Sequence, residues 1–395
     1  MDLFQKCYDY NVVKDAQKGG YYPYFHVLES RQDIEVIMEG KRKIMIGSNN
    51  YLGLTSHPDV IAAGVNAIKE FGSGCSGSRF LNGNTKLHVE LEEELASFLN
   101  KEACITFSTG FQTNLGIISA IVGRHDLIFS DKENHASIYD GCKLSFGTMV
   151  RYEHNDMEHL EHCLKEASNN NSLAGKLIVT DGVFSMSGDI CKLPEIVKLA
   201  KKYDAKIMID DAHGFGVLGK CGKGTAEYFG LEKEVDIIMG TFSKSLASLG
   251  GYMAAAKDVV DYVKHISRPQ IFCAAITPAN VACALESLRI IKKEPERIKA
   301  LLDITQYVRD GLDRRGLKYR GKIVPIVPIY TYNLEKTLKI CMTLFERGVF
   351  VNPVIPPATP PAECLIRTSY MATHTKPLID EALDIIKKVI EEIEQ

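Results

Sequence analysis

The fold of this chain is decided by a stretch that reads VDIIMGTFSKSL and spans residues 235–246. Its first half is an apolar run typical of a buried strand. Its second half has small and hydroxyl residues around Lys244, which predict a turn from that strand into a helix. A second apolar run, residues 206–209, is followed by Asp210. Because the carboxyl ends of parallel strands line one crevice of an open sheet, we expect Asp210 and Lys244 to come close together.

Further apolar runs alternate with helix-like stretches between about residue 55 and residue 280, for example at residues 104–107, 127–129 and 177–179. This alternation predicts an α/β fold with a mainly parallel sheet covered by helices. A chain of 395 residues exceeds the size of a typical single core. We therefore predict an N-terminal extension over residues 1–45, a large domain over 46–280 and a smaller C-terminal α+β domain over 281–395.

Two local patterns outside the large domain are clear. Residues 39–42 separate two strand-like runs and are typical of a hairpin loop. Apolar residues recur at helical spacing near the end of the chain, which predicts a last helix packed on the smaller domain. These residues are Ile379, Leu383, Ile386, Ile390 and Ile393.

Composition excludes several classes of function. The formal charge of −3 provides no overall basic field for nucleic acid. The eleven cysteines are scattered, without the spacing of a disulfide framework or a zinc site, so we predict a cytoplasmic protein with no metal. The sequence has no secretory signal pattern and no apolar stretch long enough to span a bilayer, while peripheral membrane contact remains open.

Lys244 and Asp210 together suggest a specific chemistry. A lysine that forms an imine with an aldehyde, facing a carboxylate that keeps a pyridine nitrogen protonated, is the minimum that pyridoxal 5'-phosphate (PLP) requires. The hydroxyls of Thr241 and Ser243 are candidates to bind its phosphate. A second strand-to-helix turn, residues 107–114, offers backbone N–H groups for the same purpose.

Other residue patterns leave alternatives open. His135 and His213 each follow an apolar run, where a buried structural histidine is as expected as a functional one. Asp211 competes with Asp210 for contact with the ring nitrogen. Arg367 is either half of a surface ion pair or a fork for a substrate carboxylate.

A glycine-rich segment, residues 214–220, matches two nucleotide-binding patterns. Cys221 stands where the phosphate-loop pattern needs a hydroxyl residue, and more glycine follows where the dinucleotide pattern needs a helix. We predict a tight turn instead of a nucleotide site.

With these positions assembled, the chain resembles the α-oxoamine synthases, which are fold-type I PLP-dependent transferases. The resemblance covers nearly the whole length, and it is carried by blocks at residues 47–54, 72–84, 88–92, 134–137, 181–189, 210–214, 240–251 and 367–375. Within the family, residues 240–251 and 371–375 most resemble the members that use L-serine and a long-chain acyl-CoA.

The resemblance implies a role for each matching residue. Lys244 corresponds to the lysine that carries PLP, Asp210 to the ring-nitrogen carboxylate and His135 to the residue stacked on the ring. His213 corresponds to a contact of the ring oxygen and of the substrate carboxylate. The remaining matches are Gly110, Phe111, Thr241 and Ser243 for the phosphate, Ser185 near the ring, Asn50 near the amino acid and Arg367 for its carboxylate.

The resemblance also implies a reaction and an assembly. We expect condensation of L-serine with palmitoyl-CoA, releasing CoA and CO2 and giving 3-oxosphinganine. The alternatives are glycine C-acetyltransferase and 8-amino-7-oxononanoate synthase, and outside the family a conventional aminotransferase or a PLP-binding protein without turnover. Family members are homodimers with interface active sites, but Cys273, Ala274 and Ala275 replace the usual hydroxyls of the cross-subunit phosphate contact.

Overall fold

The computed structural model describes residues 2–170 and 173–394, and these divide into two compact units. The larger unit combines residues 49–185 and 189–302, and the smaller unit combines the described residues of 1–48, 186–188 and 303–395. The smaller unit thus takes residues from both ends of the chain. The predicted division at residues 45 and 280 stays a prediction, and its end points Met1 and Gln395 lie outside the described residues.

The described residues form thirteen strands. They are β1 (Glu35–Met38), β2 (Lys41–Met45), β3 (Ala103–Phe107), β4 (Leu127–Asp131), β5 (Thr148–Tyr152), β6 (Lys176–Asp181), β7 (Lys206–Asp210), β8 (Ile237–Thr241), β9 (Gly251–Ala255), β10 (Ile326–Tyr330), β11 (Val349–Phe350), β12 (Asn352–Val354) and β13 (Leu365–Ser369).

The same residues form fifteen α-helices and one short 3-10 helix, Pro361–Glu363. The α-helices are α1 (Gln5–Tyr8), α2 (Val12–Lys18), α3 (Pro58–Phe71), α4 (Lys86–Phe98), α5 (Gly110–Ile121), α6 (Ala136–Leu144), α7 (Met157–Asn170), α8 (Leu193–Tyr203), α9 (Thr225–Tyr228), α10 (Lys257–Ile266), α11 (Arg268–Ile271), α12 (Pro278–Lys293), α13 (Glu296–Arg314), α14 (Leu334–Glu346) and α15 (Lys376–Glu394).

The larger unit is built on a seven-stranded sheet of order β3-β9-β8-β7-β6-β4-β5. Only β9 runs against its neighbours, and it pairs antiparallel with both β8 and β3. Nearly every residue of β6, β7 and β8 is buried, as expected for near-continuous apolar strands in a sheet covered on both faces. The predicted α/β fold with a mainly parallel sheet is confirmed.

Buried polar residues collect at the carboxyl ends of the parallel strands. Asp131, Asp181, Asp210 and Thr241 are the last residues of β4, β6, β7 and β8, and all four are buried. Asp181 and Asp210 are direct partners in the β6–β7 ladder. These strand ends, called the carboxyl edge below, position the candidate site.

The smaller unit contains two three-stranded sheets, β1-β2-β11 and β10-β13-β12. The predicted hairpin is present: β1 pairs with β2 through a turn in which Glu39 and Gly40 have φ of 50° and 72°, a conformation that glycine adopts without strain. The predicted last helix is α15, and its apolar stripe packs in the core of this unit. Helices α12 and α13 are separated at Pro295, because a proline cannot continue a helix through the residue before it.

Among the helices of the described residues, none combines the length and the apolar character needed to cross a membrane.

Candidate active site

Asp210 ends β7 with both carboxylate oxygens engaged. Oδ1 accepts a hydrogen bond from the Ala212 N–H at 3.0 Å, and Oδ2 accepts one from Asn114 Nδ2 at 2.7 Å. Burial and then the charge of Asp210 raise the pKa of the neighbouring Asp181 well above its ordinary value. The carboxyl edge therefore holds two acidic groups side by side, out of contact with bulk water.

Lys244 lies in the turn between β8 and β9. The Ala247 N–H donates to the Lys244 carbonyl at 3.0 Å, and Ala247 and Gly250 have φ of 50° and 139°. The helix that the sequence predicted after Lys244 is therefore absent, and this expectation was wrong. The chain returns into the antiparallel strand β9 instead, because the small residues after Lys244 allow a tight reversal.

Lys244 interacts electrostatically with two groups at the carboxyl edge. Burial lowers the pKa of His135 and raises the pKa of Asp181. The charge of the half-buried Lys244 ammonium group favours lower pKa values for both groups, and the charge of Asp210 favours higher ones. Lys244 and Asp210 therefore both lie within electrostatic reach of His135 and Asp181, and their direct proximity stays a prediction.

The two turns predicted to bind phosphate meet. A Cβ on Gly110 would lie 2.6 Å from Thr241 Oγ1, so the start of α5 packs directly on the end of β8. Thr241 Oγ1 lies 2.9 Å from Ser243 Oγ. Thr109 caps α5 by accepting the Gln112 N–H at 3.1 Å, and the first helical residues, Gly110 and Phe111, direct their N–H groups along the helix axis.

His135 caps α6 from the edge beside Asp181. Its backbone N–H donates to Asp181 Oδ2 at 3.0 Å, and its Nδ1 lies 2.7 Å from Ser137 Oγ. Burial lowers the pKa of His135, and the nearby Asp210 charge opposes that shift. The Phe111 ring stands edge-on to the imidazole, with 6.4 Å between ring centroids.

His213 follows the same strand as Asp210 and is held by a residue that the site prediction did not include. Tyr51 is fully buried, and its hydroxyl lies 2.6 Å from His213 Nδ1. Tyr51 stands inside one of the sequence blocks that resemble the α-oxoamine synthases, so that block was the available signal. The side chain of Asp211 is committed elsewhere: Oδ2 accepts the Thr225 N–H at 2.7 Å and Oδ1 its hydroxyl at 2.6 Å.

The remaining predicted residues have the following local environments. Ser185 is half-buried in the loop after β6. Asn50 closes its own loop, because its Oδ1 accepts the Leu54 N–H at 3.0 Å and its Nδ2 donates to Thr55 Oγ1 at 2.6 Å. Arg367 is buried in β13 of the smaller unit, with Nη1 3.4 Å from Ser369 Oγ.

The glycine-rich segment is a tight turn, as predicted. The carboxylate of Glu227 accepts the N–H groups of Cys221 and Lys223 at 2.9 Å each, so these amides already have an anion. Within residues 2–170 and 173–394, no cluster of His, Cys, Asp and Glu has the arrangement of a metal site.

The sheet, the turn carrying Lys244 and the buried carboxylates define a transferase of the fold-type I class. The chain belongs to the aminotransferase class I and II family, whose profile matches residues 41–386.

Among curated relatives, the chain is 50% identical to serine palmitoyltransferase of Sphingobacterium spiritivorum over 392 residues, which is 99% of this chain and 98% of the relative. It is 42% identical to 8-amino-7-oxononanoate synthase of Thermoanaerobacter pseudethanolicus over 377 residues, 95% of each. The predicted resemblance to the α-oxoamine synthases is confirmed.

Solved structures agree. A serine palmitoyltransferase variant from S. paucimobilis, which carries bound PLP and myriocin, superposes with a TM-score of 0.95 at 35% identity and covers 100% of both chains. The enzyme from Sphingomonas wittichii superposes with a TM-score of 0.95 at 36% identity, covering 100% of this chain and 99% of that one.

The residues of this chain fit a phosphorylated pyridine aldehyde. Gly110 has no Cβ, and the space that a Cβ would fill lies beside two hydroxyl groups and the N-terminus of α5. A buried carboxylate and a half-buried amine complete the set that such a cofactor needs.

Proposed function

We propose that this chain condenses L-serine with a long-chain acyl-CoA, palmitoyl-CoA, and releases CoA, CO2 and 3-oxosphinganine. The observation that carries the proposal is the full-length identity of 50% to a serine palmitoyltransferase, against 42% to an 8-amino-7-oxononanoate synthase. The buried edge around Asp210 and Lys244 supports it. The required cofactor is PLP, which supplies an electron sink for charge that develops on the amino-acid α-carbon.

Each residue of the site has a stated task in this proposal. The Asp210 carboxylate would pair with the ring nitrogen, at the end of a buried strand where water is excluded. The Lys244 amine would hold the cofactor and would serve as the base that takes and returns the proton of the α-carbon. His135 would cover one face of the ring, and His213, whose Nδ1 is held by Tyr51, would contact the ring oxygen.

The phosphate and the substrate use the outer residues. Gly110 and Phe111 offer backbone N–H groups to the phosphate, and Thr241 and Ser243 offer hydroxyls. Ser185 would lie beside the ring and Asn50 beside the amino acid, and Arg367 would hold the carboxylate of the amino acid.

We also propose a homodimer that works in the cytoplasm, with active sites at the subunit interface. Thr277 is then the remaining hydroxyl near the position where Cys273, Ala274 and Ala275 stand. A dimer in light scattering would support this assembly, and an active monomer would contradict it.

Substrate choice is tested with the purified protein. Its visible spectrum is recorded with serine, glycine and alanine, and acyl-CoAs of graded length are then assayed for release of free thiol and CO2. Serine with palmitoyl-CoA should give the fastest turnover. Faster turnover of alanine with pimeloyl-CoA, or of glycine with acetyl-CoA, would reassign the substrate and keep the chemistry.

A further inference from the structure

A chain of hydrogen bonds joins Asp210 to His135 through two residues that the proposed mechanism does not use. Asn114 Nδ2 donates to Asp210 Oδ2 at 2.7 Å and to Ser137 Oγ at 2.8 Å. Ser137 Oγ in turn lies 2.7 Å from His135 Nδ1. Asn114 and Ser137 are 0% and 1% exposed, so water does not compete for these contacts.

The direction of each hydrogen bond in this chain follows from one backbone N–H group, which can only donate. The Ser137 backbone N–H points at His135 Nδ1 at 3.3 Å, and a backbone amide only donates. His135 Nδ1 is therefore an acceptor, and the neutral ring carries its proton on Nε2. Ser137 Oγ then donates to the same Nδ1 and accepts from Asn114.

The orientation of the Asn114 amide follows from its surroundings. Both amide hydrogens are used, by Asp210 and by Ser137, while Asn114 Oδ1 is buried and has no hydrogen-bond partner among the described residues. Turning the amide over would set its oxygen against a carboxylate. The contact exists because α5 and α6 cross closely at Gly141, where a Cβ would lie 2.9 Å from the Asn114 carbonyl oxygen.

We propose that Asn114 is a positioning residue that orients the Asp210 carboxylate and, through Ser137, holds the His135 ring in the tautomer protonated on Nε2. Its place in catalysis rests on the proposed function, since Asp210 and His135 are the groups assigned to the ring nitrogen and the ring face. The network itself is a property of the chain alone.

The charged groups facing His135 come from three elements. Asp210 ends β7, Asp181 ends β6 and accepts the His135 backbone N–H, and Lys244 lies in the turn after β8. Asp210 favours a proton on the imidazole, whereas Lys244 and burial oppose it. The two donors of Ser137 act with Lys244, because a protonated Nδ1 has no lone pair to accept them.

The test is a histidine titration by NMR on the full chain labelled with 15N-histidine, with PLP bound and after its removal. Long-range 1H–15N spectra report which ring nitrogen is protonated, and a His135→Asn variant assigns the signal. In Asn114→Asp, the new carboxyl group faces Asp210 and shares one proton with it, so the pair keeps a single negative charge. Its other oxygen accepts the Ser137 hydroxyl, which leaves Nδ1 with only the 3.3 Å backbone N–H. We expect the proton affinity of His135 to rise about tenfold, one pKa unit.

A second variant and a matched control complete the design. Ser137→Ala removes the hydroxyl donor and keeps only the 3.3 Å backbone N–H on Nδ1, so the tautomer protonated on Nδ1 should become detectable. This variant serves also if Asn114→Asp does not fold. Thr225→Val removes a hydroxyl donor from the adjacent buried Asp211 in the same way and should leave the His135 signal unchanged. Wild-type titration in both test variants, or an equal shift in Thr225→Val, would overturn the proposal.

Kinetics separate this inference from the proposed function. With serine and palmitoyl-CoA, Asn114→Asp should lower kcat at least tenfold with little change in KM, because Asn114 is fully buried and both its amide hydrogens are used by Asp210 and Ser137. Absence of turnover in the wild type would refute the proposed function, and the NMR result would still judge the network. Normal NMR signals with normal kcat in the variant would refute the network alone.

Discussion

The carboxyl and amino ends of the parallel strands place charged residues in opposite environments. At the carboxyl edge, the Asp210 side chain is buried and bound by Asn114. At the amino edge, Lys206 and Asp236 form a 3.2 Å ion pair whose side chains are 74% and 36% exposed. Burying a charge is costly unless it is bonded, while an exposed pair contributes little. Function is therefore expected where the charges are buried, and mutations at the two edges should differ accordingly.

The largest effect is expected for Lys244→Ala. This change removes the amine that we assign to the covalent link, so both turnover and the visible absorbance of the bound cofactor should be lost. The measurement is a spectrum and a thiol-release assay on the purified variant. A variant that kept both would show that another amine carries the cofactor.

The next effect separates the two adjacent aspartates at the end of β7. Asp210→Asn removes the buried negative charge and should lower kcat by about 100-fold to 1,000-fold. Asp211→Asn is its control and should keep most of the activity, because Thr225 already uses both oxygens of Asp211. If Asp211→Asn were the more damaging change, Asp211 would be the ring-nitrogen partner.

A smaller effect concerns pH and stability. Burial raises the pKa of Asp211 to about 7, above its value in the unfolded chain. The folded state therefore binds this proton more tightly, and the stability so gained is present at low pH and lost as pH rises through about 7. From pH 5 to pH 8, the wild type should lose about 3 kcal/mol of unfolding free energy relative to Asp211→Asn.

Urea unfolding at the two pH values measures this difference. Because the other titrating groups are common to both proteins, the subtraction isolates residue 211. A constant difference would mean that the Asp211 carboxyl is ionised throughout this range.

The smallest effect is expected at the amino edge. Lys206→Ala breaks the exposed pair with Asp236 and should change the unfolding free energy by less than about 1 kcal/mol, with unchanged kcat. A loss comparable to that of a buried-site variant would show that exposure does not decide the contribution of these charges.

Much of the fold could be predicted because its signals are local. The run at residues 206–209 is apolar and is followed at once by Asp210, so both a strand and a polar strand end are visible in the sequence. The hairpin at Glu39 and Gly40 and the stripe of α15 have equally local signals. The turn that carries Lys244 could be predicted because the strand-like run at residues 235–239 directly precedes it. The roles of the predicted site residues stay predictions.

The remainder depends on tertiary contacts. Asn114 and Ser137 lie on separate helices and reach Asp210 only because α5 and α6 cross at Gly141, which no local pattern indicates. The apolar run of β9 has the same appearance in either direction, so its antiparallel pairing could not be predicted. The helix expected after Lys244 is absent because the chain turns back into β9, and this pairing is a tertiary contact that no local pattern indicates.

The antiparallel strand β9 has a consequence for biosynthesis. It joins β3 to the other strands of the sheet, with Ala255 paired with Ala103. The turn that carries Lys244 immediately precedes it. A nascent chain therefore holds β3 without its neighbour until β9 leaves the ribosome, since such distant pairings form late. Truncations that end before residue 255 should expose an open sheet edge and require chaperones.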